Sequence, residues 1–178
     1  NALLGTTPEL MAKGIPDVAW TAIEGDDKKI STGLRKRNKK QVVEEQLLFT
    51  ALNPPKDETE LLRAQVAHLE QATDGSAAEL ASKEAQWAGL LASAGYTHQK
   101  LVADAWCAAF VWPKLSEESF DSAPIDALWQ QLRDGQASPR PRLVETVRAL
   151  AEQYGFFHWH LQFPQVFARG GFDVVLGN

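Results

Sequence analysis

The chain has 178 residues, enough for one domain with appendages and for a core that buries roughly 70% of the unfolded surface. Its 44% hydrophobic and 23% charged residues suit a soluble fold, and no apolar run approaches the roughly 20 residues of a membrane span. A net charge of −5 excludes a surface built throughout for nucleic acid; the single cysteine, Cys107, excludes an internal disulfide and fits a reducing, cytosolic setting.

The chain opens on Asn1 with an apolar run already under way, carries Met11 as its one methionine, and stops at Asn178 behind another apolar run. It reads as a segment of something larger, with no signal peptide at its start. Residues 1–27 are loop-rich, with Ala2-Leu3-Leu4 expected as the end of a strand. Thr7-Pro8-Glu9 starts a short helix through a capping hydroxyl, a proline at the first position and an acid at the positive end. Gly14 and Ile15-Pro16 end it. Seven of the 18 basic residues then fall between Lys28 and Lys40: Lys28, Lys29, Arg35, Lys36, Arg37, Lys39 and Lys40. A short helix is expected over Gln41 to Leu52, stopped by Asn53-Pro54-Pro55.

Asp57 caps the next helical pattern, in which Leu62, Val66 and Leu69 share one face. Thr73-Asp74-Gly75-Ser76 is a turn, and Leu80, Trp87, Leu91 and Ala94 mark the second arm of an αα-hairpin, each arm about 18 residues and roughly 27 Å long. Gln99 to Val111 is apolar nearly all round and is expected at the centre of the core. Trp112-Pro113 ends it. Pro124 starts a helix with Ile125, Leu128, Trp129 and Leu132 on one face, closed by Gly135. Ser138-Pro139-Arg140-Pro141 links it to a last helix marked by Leu143, Val147, Leu150 and Tyr154. From Phe157 to Phe163 apolar and polar residues alternate, which predicts a half-buried strand. Phe172-Asp173-Val174-Val175-Leu176 predicts a buried parallel strand with Gly177-Asn178 at its carboxyl end.

His158 and His160, two apart on the predicted strand, have the spacing of two metal ligands but no third nearby, so a polar strand face is the plainer reading and no metal is assigned. Cys107 reads as a small core residue with an inert, buried thiol. The basic run is either a solvated face or a phosphate-contacting one. No phosphate loop, zinc-spaced cysteines or Ser-His-Asp pattern is present. By itself this gives a mostly helical module and no reaction.

Phe172-Asp173-Val174-Val175-Leu176-Gly177-Asn178 resembles the approach to the Asn-Pro-Pro-aromatic motif of adenine-N6 DNA methyltransferases. Phe157-His158-Trp159-His160-Leu161-Gln162-Phe163-Pro164-Gln165-Val166-Phe167 is similar to a segment of the large type IIG-like members that serve restriction-modification and phage defence. Leu4-Gly5-Thr6-Thr7-Pro8, Gly14-Ile15-Pro16-Asp17, Gly25-Asp26-Asp27-Lys28, Leu34-Arg35-Lys36-Arg37-Asn38 and Ala103-Asp104-Ala105-Trp106-Cys107-Ala108-Ala109-Phe110 resemble the same proteins. The resemblance thus touches most of the chain in patches, and its final patch is the most specific.

The resemblance implies a fold and a chemistry. The target adenine is flipped out of the duplex. Asn178 takes the place of the catalytic Asn, whose side-chain oxygen accepts a hydrogen bond from N6. This favours a pyramidal nitrogen able to attack the methyl group of S-adenosylmethionine. Asn1 takes the place of the residue that contacts the cofactor's adenine. Arg35, Lys36, Arg37, Lys39 and Lys40 are the implied DNA contacts. The expected fold is mainly α: a helical insertion over residues 28–155 containing the αα-hairpin, flanked by a catalytic-domain edge over 1–27 and a strand segment over 156–178 from a Rossmann-like methyltransferase sheet. The expected partners are DNA and other domains of the same polypeptide, with no membrane. The segment alone is expected to be inactive and not to bind S-adenosylmethionine, because the cofactor's glycine motif lies upstream. The competing reading is a non-catalytic helical module for protein interaction or DNA contact.

Overall fold

The computed structural model describes residues 3–49, 59–135 and 140–176. These residues are mainly helical and include no strand: α1 (Pro8–Met11), a 3-10 turn (Asp17–Trp20), α2 (Lys28–Phe49), α3 (Thr59–Gln71), α4 (Ala77–Leu91), α5 (Ala94–Val111), α6 (Glu117–Ser122), α7 (Asp126–Arg133), α8 (Pro141–Tyr154), α9 (Trp159–Gln162) and α10 (Pro164–Phe167). None of these helices is long and apolar enough to cross a membrane. The chain divides into two compact units, Asn1–Pro55 with Leu101–His158, and Lys56–Lys100 with Trp159–Asn178.

The first unit is built around α5. Ala105, Ala108 and Ala109 are fully buried there, and their small side chains let neighbouring elements come close. Trp20, Leu34, Trp112, Ile125, Trp129 and Val147 fill the space between, all at most 1% exposed. A buried indole N–H seeks an acceptor; Trp112, Trp129 and the neighbouring Trp106 use theirs to tie elements together, while Trp20 Nε1 has no hydrogen-bond partner among the described residues. Trp106 donates to Gly14 O, Trp129 to Val102 O and Trp112 to Ser119 O, each at 2.9 Å. The expected stripes of α7 and α8 face this core: Ile125, Trp129 and Leu132 from one, Leu143, Val147 and Leu150 from the other. Thr7 caps α1, as its sequence signal predicts, and Gly155 closes α8 at φ 64°.

Two features of this unit differ from expectation. The basic run and the segment behind it form one 22-residue helix, α2, rather than a run followed by a short helix. Ile30 and Leu34 are four apart and give this polar helix its inward face. Helix α6 was not expected; Ser116 starts it by accepting from the Ser119 N–H at 3.2 Å.

In the second unit, α3 buries Leu62, Val66 and Leu69 as the spacing predicts. The described part of its arm has 13 residues, and α4 has 15, shorter than expected. Ser76 caps α4 by accepting from the Glu79 N–H, and the Glu79 carboxylate accepts from the Ser76 and Thr73 hydroxyls. The α4 stripe is placed differently from expectation. Leu90 is its buried residue, while Leu80 is 49% exposed and Trp87 half-buried. Asp57 and the end of the Gln41 to Leu52 segment lie outside the described residues.

The predicted strands are corrected. Leu3 and Leu4 form a turn, not a strand end. Phe157 and His158 lie in no helix, but the chain then enters α9 and α10, and Phe172 packs edge to face on the rings there, 5.4 Å from both Trp159 and Phe163 and 6.2 Å from Phe167. Trp159, Phe163 and Phe167 are four apart, a spacing that shares one face in a helix as well as in a strand, so alternation alone does not separate the two. Phe172–Leu176 is irregular, with Val174 70%, Val175 66% and Leu176 92% exposed. A buried parallel strand needs neighbours for its backbone groups, and the described residues offer none. The Rossmann-like strands are therefore absent among them.

Candidate functional site

The geometry with the most consequence in the first unit joins its two sequence ends. Phe157 N–H donates to Leu4 O at 2.8 Å, and Thr6 N–H donates to His158 Nδ1 at 3.2 Å. Between them lies Gly5, where a Cβ would stand 2.0 Å from Phe157 O, so only glycine fits. On its other side the His158 ring meets α5, with Nε2 2.9 Å from Asp104 Oδ1. Thr6, Asp104 and His158 are 3%, 4% and 3% exposed. A backbone N–H can only donate, so Nδ1 is an acceptor and the ring hydrogen sits on Nε2, pointing at the carboxylate. The imidazole is thereby fixed in one tautomer and one orientation. With both nitrogens engaged and the ring sealed from solvent, His158 is a positioning group rather than an acid, base or metal ligand.

A second buried lock holds the start of the unit. Ile15 N–H donates to Asp126 Oδ1 at 2.6 Å and Gln130 Nε2 to Asp126 Oδ2 at 2.7 Å. Asn38, on the inner face of α2, donates to Ile15 O at 3.0 Å and accepts from the Asp126 N–H at 2.9 Å. Burial pushes the Asp126 carboxyl above its usual range, and these hydrogen bonds and Arg133 offset that only in part. A third lock pairs Lys114, 0% exposed, with Asp26 at 3.2 Å; the ammonium also donates to Trp112 O. Burial would raise the Asp26 carboxyl, but donors from Ile23 N, Lys114 N and the Lys114 ammonium together bring it below the usual value.

The expected DNA-contact residues lie on α2. Arg35, Lys36, Lys39 and Lys40 are exposed. Arg37 is half-buried and engaged elsewhere: its guanidinium lies 5.4 Å from the Phe120 ring centre and 3.9 Å from Asp121 Oδ1. Arg37 therefore anchors α2 to α6 and does not share the exposed face.

Asn178 and Asn1, the residues assigned to catalysis and cofactor contact, lie outside the described residues. Cys107 is buried, and that burial, with the nearby Asp104 charge, pushes its thiol up to about 12, which leaves it an unreactive thiol. His160 is buried with its ring 6.5 Å from that of Phe167. The described residues hold no group of three or more His, Cys, Asp or Glu set for a metal. The second unit has an open groove of about 430 Å³ between α3 and α4, floored by Leu69 and Leu90 and rimmed by His68 and Gln86.

The Asp104–His158 pair was not singled out from the sequence. Its signal was present: a lone carboxylate in an otherwise apolar helix demands a buried donor, and Asp104 interrupts Ala103 to Val111. Compared with known proteins, the chain matches no family model, no curated protein and no solved structure.

Proposed function

We propose that the chain is the helical segment of an adenine-N6 DNA methyltransferase of the large type IIG-like kind, working in restriction-modification or phage defence. The observation that carries this reading is the stapling of Leu4-Gly5-Thr6 to Phe157-His158. These stretches, in patches that resemble the family, are 152 residues apart from Thr6 to His158 and one hydrogen bond apart in space. A domain inserted between two neighbouring points of a larger fold needs its ends together in this way. The exposed Val174, Val175 and Leu176 add support. An apolar, β-branched run left open to solvent suits a strand whose sheet neighbours belong to the rest of an enzyme.

In this reading methyl transfer belongs to Asn178 and to S-adenosylmethionine, which supplies the methyl group. The part of the described residues is architectural. The His158 ring, gripped by Thr6 and Asp104, fixes where the chain leaves the helical unit, and Gly5 fixes where it enters.

A helical module for DNA contact is the second reading, favoured by the exposed basic face of α2. The coding sequence directly after Asn178 separates the two. Pro-Pro-aromatic supports the methyltransferase; any other continuation overturns it.

A further inference from the structure

Helix geometry sorts the basic residues of α2 into two rows. At 100° per residue, Lys28, Arg35 and Lys39 fall within roughly 40° of one another, and Lys29, Lys36 and Lys40 form a second row about 100° round the helix. All six are exposed. The rows run roughly 18 Å along the axis. The opposite face carries Leu34 and Asn38, which are 0% and 1% exposed, so the rows point away from the core. Lys28, Lys29, Arg35, Lys36 and Lys39 make no ion pair among the described residues. Arg37 stands apart from both rows, held by Phe120 and Asp121.

We infer that α2 lies along the phosphate backbone of a nucleic-acid duplex and grips it without regard to base sequence. Duplex DNA carries one charge per about 1.7 Å of axis, so an 18 Å stripe faces on the order of ten phosphate charges, ample for six cations. The chain's net charge is −5, so this concentration of positive charge runs against the rest of the molecule. The rows carry no aromatic residue on which unpaired bases would stack, which favours a duplex over a single strand. They carry no apolar residue to enter a lipid surface either, since Ile30 and Leu34 pack against the core. Long cations without a planar amide between them contact backbone rather than read base edges. The inference deepens the DNA-contact reading given above, rests on charge and helix geometry, and does not depend on the methyltransferase reading.

The test uses this chain and a fluorescein-labelled DNA duplex of arbitrary sequence, with binding followed by anisotropy between 50 and 200 mM salt. Six phosphate contacts predict a slope of log affinity against log salt of about −5. Lys28→Gln/Arg35→Gln/Lys39→Gln, and separately Lys29→Gln/Lys36→Gln/Lys40→Gln, each remove three contacts and should bring the slope to about half that value. Arg37→Gln should leave the slope unchanged. Circular dichroism of each variant checks that the helices persist; the two triple variants are alternatives should one fail to fold. Absence of duplex binding at 50 mM salt, an unchanged slope in the folded triple variants, or tighter binding to phosphatidylserine vesicles than to the duplex overturns the inference. Failure of methyl transfer in the larger enzyme does not touch it.

Discussion

His158 Nε2 lies 2.9 Å from Asp104 Oδ1, and the same ring accepts from the Thr6 N–H on its far side. One side chain thus ties α5, the entry stretch at Thr6 and the exit of the first unit to a single point. Replacing His158 by Ala removes the donor that faces a buried carboxylate. A hydrogen bond to a charged group is worth about 1.5–3 kcal/mol, and His158→Ala should lower unfolding free energy by about that amount in urea. A change below about 0.5 kcal/mol, the range of ordinary surface substitutions, would deny the pair its role.

Gly5 and Gly89 predict opposite results from one substitution. A Cβ at Gly5 meets Phe157 O at 2.0 Å, whereas a Cβ at Gly89, inside α4, meets nothing within 4 Å. Gly5→Ala must open the Leu4–Phe157 hydrogen bond and should cost about 1–3 kcal/mol or more. Gly89→Ala should stabilise α4 by up to about 1 kcal/mol, because alanine is the better helix former. Thermal melts of the two variants should therefore shift in opposite directions.

The two buried carboxylates of the first unit should respond to pH with opposite signs. Asp26 is held below its usual range in the fold, so its contribution is present at neutral pH and is lost as pH falls below about 4 through the folded value. Asp126 is held above its usual range, so its contribution is greatest in acid and is lost as pH rises through the raised value. Asp26→Asn should cost more at pH 7 than at pH 3. Asp126→Asn should cost more at pH 4 than at pH 7. Urea titrations at those pH values check both.

Trp106 is 7% exposed, lies 5.0 Å from the Phe110 ring and bonds Gly14 O through its indole. Trp106→Ala removes a large buried ring and leaves Gly14 O without that donor. It should cost about 3–5 kcal/mol, seen as a large fall in the melting temperature. An unchanged melt would remove α5 from the centre of the core.

The parts of this fold that were legible in the sequence are those that local physics decides. The stripes of α7 and α8 and the Thr7-Pro8 start each follow from residues a few positions apart. Phe157 to Phe163 misled because its alternation satisfies the period of a strand, while Phe157 and His158 are held by Leu4, Thr6 and Asp104, partners far away in sequence, and Trp159–Gln162 is helical. Helix α2 was hidden because lysine-rich sequence gives a weak inward stripe, and only packing against Trp20 and α6 reveals that Leu34 and Asn38 anchor it. The basic face was legible as a cluster of charge. Its two rows, and the diversion of Arg37 to Phe120, needed the helix phase and the neighbouring α6.

The most direct test of the account is methyl transfer by the natural full-length protein. Purified enzyme is incubated with duplex DNA and S-adenosylmethionine carrying a labelled methyl group, and the DNA is digested to nucleosides. The account predicts label in N6-methyladenine, abolished by Asn178→Ala while the helical content is kept. Label absent from adenine, or undiminished in the folded Asn178→Ala protein, would contradict it.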